Sequence, residues 1–580
     1  MRATGSQHFM AVALACGFLF TTTTVFSQEV APTTPVPIQK YAPSTQRLFR
    51  GPTGGALGAI YPVQIGQSYD GIDFLGSNCA CLPPDTNAAV GHDFVVETVN
   101  TQIRMFDKTT GGILLDESLA TFFGASSGGD PYVVYDDTAD RWYVSAFDGV
   151  DFGLFLAVSV DGNPLHGFLP TYHLTDVGGF PDYHKVGFNK DAIFISYNDF
   201  GGGGTAATVA SIDKAAALSG TLIHFISHPV FQFRGMPPAQ MHGDTTGGVE
   251  WFLSTDGTDV GGSTIRVTKL VNYLSNSPSF TYTSLPVTPY QSASRADQPG
   301  GDVTVFPNTT TTQVQYHQGH LVTAMASSTA SDGFIYPKGL YYQVDVSGGT
   351  PRLLKQGVID PGTGVAVQMP SVDEDIQGNL GLTWMESSSS EYLSMWVGTV
   401  DAEGTLASSA AASGGGFFPS SFRIGDYSTT VLDSSDGRTF WSANEYIGDD
   451  GDSDIWRTHI TSFTAPAIQV SIDIRDHINP RSKGVIQVAI LTTSTFNATV
   501  ADPLSIKFGP HGAHTRKAKI HDVNGDGLPD LALHFRTQQT GITCGDTSAS
   551  LIGKTFGGQA IQGSDFFKTV GCLGAGWPEF

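Results

Sequence analysis

The chain has 580 residues, of which 14% are charged, 69 are glycine and 31 are proline, and its formal net charge is −24. This composition is typical of short strands joined by tight turns, and it argues against long charged helices. The negative charge repels phosphate backbones and anionic membrane surfaces, so we do not expect nucleic acid as a partner. It suits divalent cations or neutral polymers, although a merely solvated acidic face is the commoner case.

Residues 1–27 predict a secretory signal peptide. A positive start at Met1–Arg2 precedes the apolar run Phe9–Phe20, and the small-residue site Val25–Ser27 follows. The apolar run is short for a membrane span, and no later segment reaches about 18 consecutive apolar residues. Residues 28–60, rich in proline, threonine and glycine, are interpreted as a linker or arm. We therefore expect an exported chain without a transmembrane segment, either secreted or held at the cell surface.

Four cysteines follow the predicted signal peptide, an even number for an oxidising compartment. We predict a disulfide bond between Cys544 and Cys572, inside the last domain. For Cys79 and Cys81 three states stay open: a local bridge, two reduced thiols, or a link to another chain.

A strand-turn-strand pattern in Gly129–Phe147 sets the model for the central part of the chain. Tyr132–Tyr135 is β-branched and aromatic, residues 136–140 supply a turn, and Arg141–Phe147 is aromatic and apolar again. Similar runs return along the chain, and such a hairpin cannot bury its own apolar face. It must stack on copies of itself, so residues 61–465 predict a β-propeller.

One aspartate stands near the start of each predicted repeat. The series predicts seven blades, with six as the alternative, because the surroundings of Asp244 and Asp302 match the others only loosely. Carboxylates at the first strand of each blade would form a ring at one channel mouth that binds a cation or a ligand. The alternative is that each carboxylate accepts hydrogen bonds from turn N–H groups and staples its blade. The series is Asp85, Asp130, Asp182, Asp244, Asp302, Asp373 and Asp426.

Several separated motifs, in order, resemble a family of secreted bacterial β-propeller proteins of unsettled function. The resemblance covers roughly residues 83–461 and implies the propeller fold. That family is grouped by fold with sialidases, whose blades carry Ser-x-Asp-x-Gly-x-x-Trp turns, and residues 434–441 are similar, with Arg438 where the pattern has glycine. The motifs are Pro84–Gly91, Gly129–Pro131 with Asp140–Tyr143, Phe180–Gly187, and Gly425–Ser428 with Asp436–Trp441 and Asn444–Tyr446.

A sialidase-like hydrolase is the alternative function. Its site would need arginines that clamp a carboxylate, a tyrosine nucleophile polarised by glutamate, and an acid/base aspartate. Glu445–Tyr446 supplies two of these types and Asp85 or Asp130 the third, but any chain of this size contains them, so no catalytic residue is assigned. The candidate arginines are Arg141, Arg234, Arg295 and Arg423. Four histidines too far apart in sequence to be called ligands are interpreted as turn or packing residues: His173, His184, His242 and His317.

Residues 466–580 predict a separate small β-sandwich that contains a calcium loop. Oxygen ligands at alternate positions and a bend at Gly527 suit Ca²⁺, which prefers oxygen donors. Position 12 is Leu533 instead of glutamate, so the loop departs from the EF-hand and resembles the calcium loops of dockerin-type and FG-GAP-type repeats. The ligands would be Asp522, Asn524, Asp526, the Leu528 carbonyl and Asp530. Another acidic run, Asp449–Asp454, is interpreted as a solvated turn, with a metal site as the alternative.

The same terminal domain resembles a module appended to many exported bacterial proteins. Ile478–Val485, Val488–Leu491, Leu533–Thr537 and Cys544–Asp546 carry the likeness together with the calcium loop. The resemblance implies attachment or stabilisation and transfers no activity.

The sequence therefore predicts an all-β protein: a seven-bladed β-propeller, or a six-bladed one, followed by a small β-sandwich. Its predicted function is a calcium-stabilised, secreted or cell-surface binding module for a glycan or protein ligand. A sialidase-like glycoside hydrolase and a purely structural surface component are the alternatives, and no motif decides for an enzyme.

Overall fold

A computed structural model describes residues 27–30 and 63–572 apart from short gaps. The predicted signal peptide, most of the 28–60 arm and the acidic run Asp449–Asp454 lie outside the described residues. The gaps are residues 78, 80, 126–127, 176–178, 201–205, 222, 231–234, 256–260, 306–310, 331–332, 402–403, 405, 421, 449–454, 475–476, 495 and 557–558.

The described chain is nearly all β-strand, which confirms the predicted class. Its α-helices are single turns, α1 (Leu119–Phe123) and α2 (Lys214–Leu218), and Pro164–His166, Ala498–Val500 and Thr537–Gln539 are 3₁₀ turns. Among these helices, none has the length and apolar character needed to cross a membrane.

The first two strands both pair with strands far along the chain. They are β1 (Ser27–Val30) and β2 (Gln64–Asp73). Three sheets of consecutive antiparallel strands follow. The first contains β3 (Asn87–Val90), β4 (Phe94–Val99), β5 (Gln102–Asp107) and β6 (Ile113–Ser118). The second contains β7 (Gly129–Asp136), β8 (Arg141–Phe147), β9 (Leu154–Val158) and β10 (Tyr172–Leu174). The third contains β11 (Pro181–Phe188), β12 (Ala192–Asp199), β13 (Ala206–Asp213) and β14 (Ile223–Val230), with β1 paired to its outer edge. Through the first strand of the fourth group it is hydrogen-bonded to the fifth group, so that ten strands form one continuous sheet.

Four further groups complete residues 239–464. The fourth contains β15 (Ala239–Met241), β16 (Val249–Thr255), β17 (Gly261–Val271) and β18 (Ser279–Gln291), followed by the short pair β19 (Asp297–Gln298) and β20 (Gly301–Asp302). The fifth contains β21 (Val314–His317), β22 (His320–Ser327), β23 (Lys338–Asp345) and β24 (Arg352–Ile359). The sixth contains β25 (Ala366–Glu374), β26 (Leu380–Ser388), β27 (Glu391–Val400) and β28 (Leu406–Ala412). The seventh contains β29 (Thr429–Leu432), β30 (Phe440–Ile447) and β31 (Trp456–Thr464).

The hydrophobic cores lie between successive sheets. Trp142 and Val133 of the second sheet pack with Val96 of the first, whereas Tyr132 and Tyr143 of the second sheet pack with residues of the third. A sheet covered on both faces must be apolar on both, which is why strands such as β26 are buried along their whole length. The seventh and first sheets also share a core, which includes β2.

The beginning and end of this array share one sheet. Strand β2 pairs antiparallel with β31, from Gln64 opposite Thr464 to Asp73 opposite Arg457, and so becomes the outer strand of the seventh group. The first strands of successive groups contact each other in the order β3, β7, β11, β15, β21, β25 and β29, and β29 contacts β3. Where these strands pair, as β15 does with β11 and β21, they run parallel. Their beginnings therefore lie at one end of the array and their last residues at the other.

Residues 468–569 form a separate set of strands around one hydrophobic core. The strands are β32 (Ile468–Gln469), β33 (Ile472–Ile474), β34 (His477–Ile478), β35 (Val485–Ile490), β36 (Lys507–Phe508), β37 (Ala513–His514), β38 (Lys517–His521), β39 (Asp530–Arg536), β40 (Ser548–Lys554), β41 (Ala560–Phe566) and β42 (Lys568–Thr569). One sheet has the order β32-β41-β40-β36-β37, another β33-β35-β39-β38, and β34 pairs with β42.

We predict that Gly71→Ala destabilises the array through the closing strand β2. A Cβ at this position would lie 2.3 Å from Thr458 Oγ1 and 2.5 Å from the Glu97 carboxylate, and both side chains are fully buried. Overpacking of this kind costs about 1–3 kcal/mol. The denaturant midpoint should fall, whereas Gly348→Ala, whose Cβ would have nothing within 4 Å, should leave it unchanged. Equal midpoints for the two variants would contradict the tight packing of β2.

Candidate functional site

In five of the groups, a non-glycine residue with positive φ lies within the first strand or up to three residues before it. These residues are Asp85 (58°), Asp130 (49°), Tyr183 (56°), Met369 (45°) and Asp426 (70°). Three of them lie in shifts of strand register, between residues 129 and 132, 182 and 185, and 368 and 371. Left-handed backbone is costly for residues with a side chain and is concentrated at functional sites. The end of the array where first strands begin is therefore the first candidate site.

Asp130 ties several sheets together at this end. Its Oδ2 accepts hydrogen bonds from the backbone N–H of Tyr183 in the third sheet (3.1 Å) and from the hydroxyl of Tyr427, just before β29 (3.0 Å). Its own N–H donates to Oδ1 of Asn100, in the β4–β5 turn of the first sheet (3.3 Å). The Tyr183 hydroxyl in turn donates to the carbonyl of Asp426 (3.1 Å). Asp130 therefore does what the stapling alternative expects of such an aspartate.

Two neighbouring carboxylates have spare acceptor oxygens. Oδ1 of Asp85 and Oδ1 of Asp426 are buried, and neither has a hydrogen-bond partner among the described residues. Asp85 is 3% exposed. The other oxygen of Asp426 pairs with Arg423, whose side chain is 62% exposed. We call Asp85, Asp130, Asp182 and Asp426 the acidic cluster.

A buried lysine compensates part of this negative charge. Nζ of Lys185 lies 3.1 Å from the ring centroid of Tyr183 and 3.9 Å from that of Tyr427, and Lys185 is 1% exposed. Burial lowers the pKa of Lys185 to about 7, against the attraction of Asp130 and Asp426. Cation–π contact with two rings stabilises the ammonium where water cannot reach it.

Three carboxyl groups of the cluster, those of Asp85, Asp182 and Asp426, resist ionisation. Burial, followed by repulsion from Asp130 and Asp426, raises the pKa of Asp85 well above its usual range. Burial raises the pKa of Asp426 to about 6 in spite of Arg423, and burial together with Asp130 raises the pKa of Asp182. Such opposed pressures on neighbouring acids are common where a ligand or a proton is handled.

The other aspartates of the predicted series lie elsewhere. Asp244 accepts hydrogen bonds from the N–H groups of Thr246 (3.0 Å) and Lys190 (3.2 Å), beyond the end of β15. Asp373 is fully buried near the end of β25, where His317 contacts it. Asp302 is exposed on β20. The structure thus brings together Asp85, Asp130, Asp182 and Asp426 and separates the rest.

The residues considered for a sialidase-like site do not converge. The Tyr446 hydroxyl donates to Asp70 Oδ1 (3.0 Å), and Glu445 is fully buried and accepts the N–H of Gly425 (2.7 Å). Arg141 donates to the carbonyl of Asp140, in the turn at the opposite end of β7. Arg295 pairs with Asp297, Arg234 lies outside the described residues, and Arg423 alone joins the acidic cluster.

A cavity of ≈350 Å³ lies at the opposite end, where first strands finish. We call it the histidine pocket. Nδ1 of His242 lies 3.1 Å from Asp137 Oδ1, and Nε2 of His317 lies 2.8 Å from Asp373 Oδ1. The two imidazole rings stack with centroids 5.1 Å apart, and Nε2 of His242 is buried without a hydrogen-bond partner among the described residues. Tyr316, Thr245, Thr246, Gln318 and Ser434 also line the cavity.

Ionic attraction decides the charge of the first of these pairs. Burial lowers the pKa of His242, but attraction and a hydrogen bond to Asp137, together with attraction to Asp373 and Asp136, raise it above its usual range. Burial likewise opposes ionisation of Asp137, yet His242 lowers its pKa. Carboxylate, imidazole and hydroxyl groups around one cavity suit a polar, uncharged ligand.

The predicted calcium loop connects β38 to β39 on the surface. Its carboxylates accept hydrogen bonds from the loop's own backbone, as in Gly525 N–H to Asp522 Oδ1 (2.6 Å) and Leu528 N–H to Asp526 Oδ1 (2.8 Å). Asp530 is fully buried, and its two oxygens accept the N–H groups of Thr492 (2.8 Å) and Val523 (2.9 Å). A loop that already curls around its exposed carboxylates has the donor chemistry that Ca²⁺ needs.

Both cysteine pairs are bonded. Cys544 bonds to Cys572, as predicted, and Cys79 bonds to Cys81, which is the first of the three states left open.

No family model and no curated protein matches the chain. Similar solved structures include the WD40 domain of SCAP from fission yeast, with 11% identity, 64% of this chain, 82% of that chain and a TM-score of 0.29. Another is an endo-arabinanase from Bacillus licheniformis, with 17% identity, 48% of this chain and 96% of that chain covered, and a TM-score of 0.23. A third is a quinonprotein alcohol dehydrogenase-like protein from Bacteroides thetaiotaomicron, with 10% identity, 57% of this chain and 67% of that chain covered, and a TM-score of 0.32. These are β-propeller-like folds.

Sequence reasoning missed the partners of the acidic cluster and the whole histidine pocket. Tyr183 and Tyr427 each follow an aspartate directly, which was a usable signal for paired positions in two repeats. His242 and His317 each stand at the end of a first strand, but β15 and β21 are too short to reveal that equivalence.

We predict that Glu445→Gln flattens the dependence of stability on pH. Burial raises the pKa of Glu445 to about 8, against an ordinary value of 4.5. Its contribution is therefore fully present below about pH 4.5 and is lost as the pH rises to about 8, because only the unfolded chain releases the proton. The variant should gain stability over the native chain between pH 5 and pH 8, by a few kcal/mol in order of magnitude.

Denaturant midpoints at pH 5, 6.5 and 8 measure this effect. Glutamine keeps a carbonyl oxygen for the Gly425 N–H, so the fold should survive. The matched control is Glu391→Gln on β27, which solvent reaches and which should follow the native profile. Parallel profiles for Glu445→Gln and the native chain would contradict the expectation.

Proposed function

We propose that this protein is an exported binding module, built as a seven-bladed β-propeller with a C-terminal β-sandwich, that holds a glycan or protein ligand at the acidic cluster. The observation that carries the proposal is the pair of buried carboxylate oxygens, on Asp85 and Asp426, without a partner among the described residues. Unpaired buried acceptors are costly and rare. Hydroxyl or N–H donors of a ligand would satisfy them.

The surroundings of the cluster support a binding role. Exposed Arg423 and partly exposed Asp182 give the site a mixed charge at its rim, while Lys185 neutralises charge beneath it. Donor-rich ligands such as sugars are bound by carboxylates and flanking aromatic groups of this kind. The cyclic contacts of the first strands, from β3 to β29 and back, support seven blades over six.

The sialidase-like hydrolase has less support. Tyr446 is 3% exposed and bonded to Asp70, so it cannot serve as a surface nucleophile beside Glu445. The Asp85 and Asp130 carboxyls are close enough to hydrogen-bond. Glycosidases of the two-carboxylate type keep these groups at least about 5 Å apart. The structural surface component is the outcome that remains if neither binding nor turnover is found.

We also propose that the loop from Asp522 to Asp530 binds Ca²⁺ and stabilises the C-terminal strands. Asp522, Asn524, Asp526 and the Leu528 carbonyl would be ligands, together with Asp530. Asp530 anchors the loop to β35 through Thr492, so a bound ion would join the loop to the core. The ion would be structural.

Substitutions in the acidic cluster test the proposed binding site. Asp85→Asn and Asp426→Asn each replace one acceptor oxygen with an amide donor, and one lost hydrogen bond is worth about 0.5–1.5 kcal/mol, or roughly a 2- to 12-fold loss of affinity. Labelled mature protein on glycan and peptide arrays, followed by titration of each positive ligand, measures the loss. Asp302→Asn is the matched control, because Asp302 lies exposed outside the cluster.

Unchanged affinity in both cluster variants would refute the proposed site. Released products, detected by mass spectrometry of the same incubations, would favour the hydrolase. No binding and no turnover would favour the structural role.

Removal of calcium tests the proposed metal site of the Asp522–Asp530 loop. Removal of Ca²⁺ with a chelator should lower the melting temperature of the C-terminal strands and leave that of the larger array unchanged, because the ion binds only folded loop. Asp526→Ala should reproduce this loss and abolish the response to added CaCl₂. Asp502→Ala, at an exposed turn of the same domain, is the control. A calcium response that survives in Asp526→Ala would contradict the site.

A further inference from the structure

Three potential metal ligands meet beside the β8–β9 connection. Asp148 and Asp151 lie in this connection, and His173 lies on β10. Each offers one donor atom, and the three atoms all lie within 4.8 Å of one another. Among the described residues, no other group of three or more His, Cys, Asp or Glu side chains brings its donor atoms within 4.8 Å of one another. A tetrahedral ion at about 2.0–2.2 Å from each donor holds its donors about 3.3–3.6 Å apart, so small side-chain movements would bring these three atoms to binding distance.

The backbone of the connection explains how the three donors meet. The Asp148 N–H donates to the Gly153 carbonyl (2.8 Å), which closes the loop, and the Val150 N–H donates to Asp148 Oδ1 (2.8 Å). This leaves Asp148 Oδ2 facing His173. Gly153 allows the close approach, because a Cβ there would lie 2.7 Å from Nε2 of His173.

The imidazole is held in place but lacks a hydrogen bond. Its ring stacks on Phe155, with centroids 4.7 Å apart. Nε2 of His173 lies 3.0 Å from Asp148 Oδ2, yet Nε2 is buried and makes no hydrogen bond with any described residue. An ordinary aspartate–histidine pair would use that distance for an aligned N–H···O bond. Two ligands of one cation need only the proximity, since both point lone pairs at the ion.

We propose that Asp148, Asp151 and His173 bind a divalent transition-metal ion, with Zn²⁺ as the reference. Imidazole nitrogen suits Zn²⁺ and its neighbours in the transition series, whereas Ca²⁺ prefers an all-oxygen set. Asp148 is largely buried and Asp151 is exposed, so the site has a fixed inner side and an open outer side. Three protein donors leave at least one coordination position for water or an external ligand.

The site lies at the same end of the array as the acidic cluster. Phe147, the residue before Asp148, pairs with Gly129, the residue before Asp130. The Gly128 N–H also donates to the Phe147 carbonyl (2.8 Å). The metal site does not depend on the proposed function, because its ligands take no part in the acidic cluster.

Isothermal titration calorimetry of the mature chain with ZnCl₂ tests the site, after Ca²⁺ has been supplied to the Asp522 loop. We expect His173→Ala to lose one Zn²⁺ equivalent or to bind that equivalent roughly a hundredfold more weakly. Asp151→Asn should weaken it as well, and this exposed change should not disturb folding. Substitution with Co²⁺ adds a visible absorption spectrum that reports on nitrogen and oxygen ligands and should disappear in His173→Ala.

His166→Ala provides a matched control. His166 Nδ1 pairs with Asp161 Oδ2 (2.9 Å) at an exposed turn after the same sheet's β9, without a third donor in the group. Its loss should leave Zn²⁺ binding unchanged. Native affinity and stoichiometry in both His173→Ala and Asp151→Asn would overturn the proposal, as would an equal loss in His166→Ala. Binding of Ca²⁺ in preference to Zn²⁺ at this site would overturn the assigned metal class.

Discussion

The rest of the array depends on the hydrogen bonds that the Asp130 carboxylate accepts. It accepts a hydrogen bond from the backbone of the third sheet and another from Tyr427, next to the seventh, while its own N–H is held by the first sheet. A charged acceptor between backbone and hydroxyl donors makes stronger bonds than neutral groups do. The left-handed backbone at Asp130 places the carboxylate there, and the bonds to three sheets compensate for its strain. Stability and site geometry therefore come from the same residue.

The two ends of the array contain different combinations of buried polar side chains. At the acidic cluster, burial and mutual repulsion raise the pKa of Asp85, Asp182 and Asp426, and a lysine is sandwiched between aromatic rings. At the histidine pocket, each imidazole contacts its own carboxylate, and attraction favours the charged form of the pair between His242 and Asp137. The first end has unsatisfied acceptors and the second has an open cavity. One fold thus places buried, unpaired acceptor oxygens at one end and a hydroxyl-lined cavity at the other.

Local chemistry was readable from the sequence, and spatial equivalence was not. The strand Arg141–Phe147 and the disulfide between Cys544 and Cys572 were predicted with the bounds and pairing observed. The aspartate series was aligned by residue type, whereas the structural repeat is a left-handed residue in or just before the first strand of five groups. By that measure Tyr183, not Asp182, corresponds to Asp130. His173 meets Asp148 only because β10 pairs with β9, a contact that spacing in the sequence cannot reveal.

The pairing of β2 with β31 imposes an order on folding. Strand β2 has its partner at the far end of the array, and the other sheets lie between the two strands in sequence. Bringing such distant segments together costs loop-closure entropy, and non-local pairings of this kind slow folding. Until Trp456–Thr464 has been made, residues Gln64–Asp73 have no native neighbour on that edge. Strand β2 must therefore wait to pair until β31, the last strand of the array, exists, and partial chains expose an unpaired edge open to association with other chains.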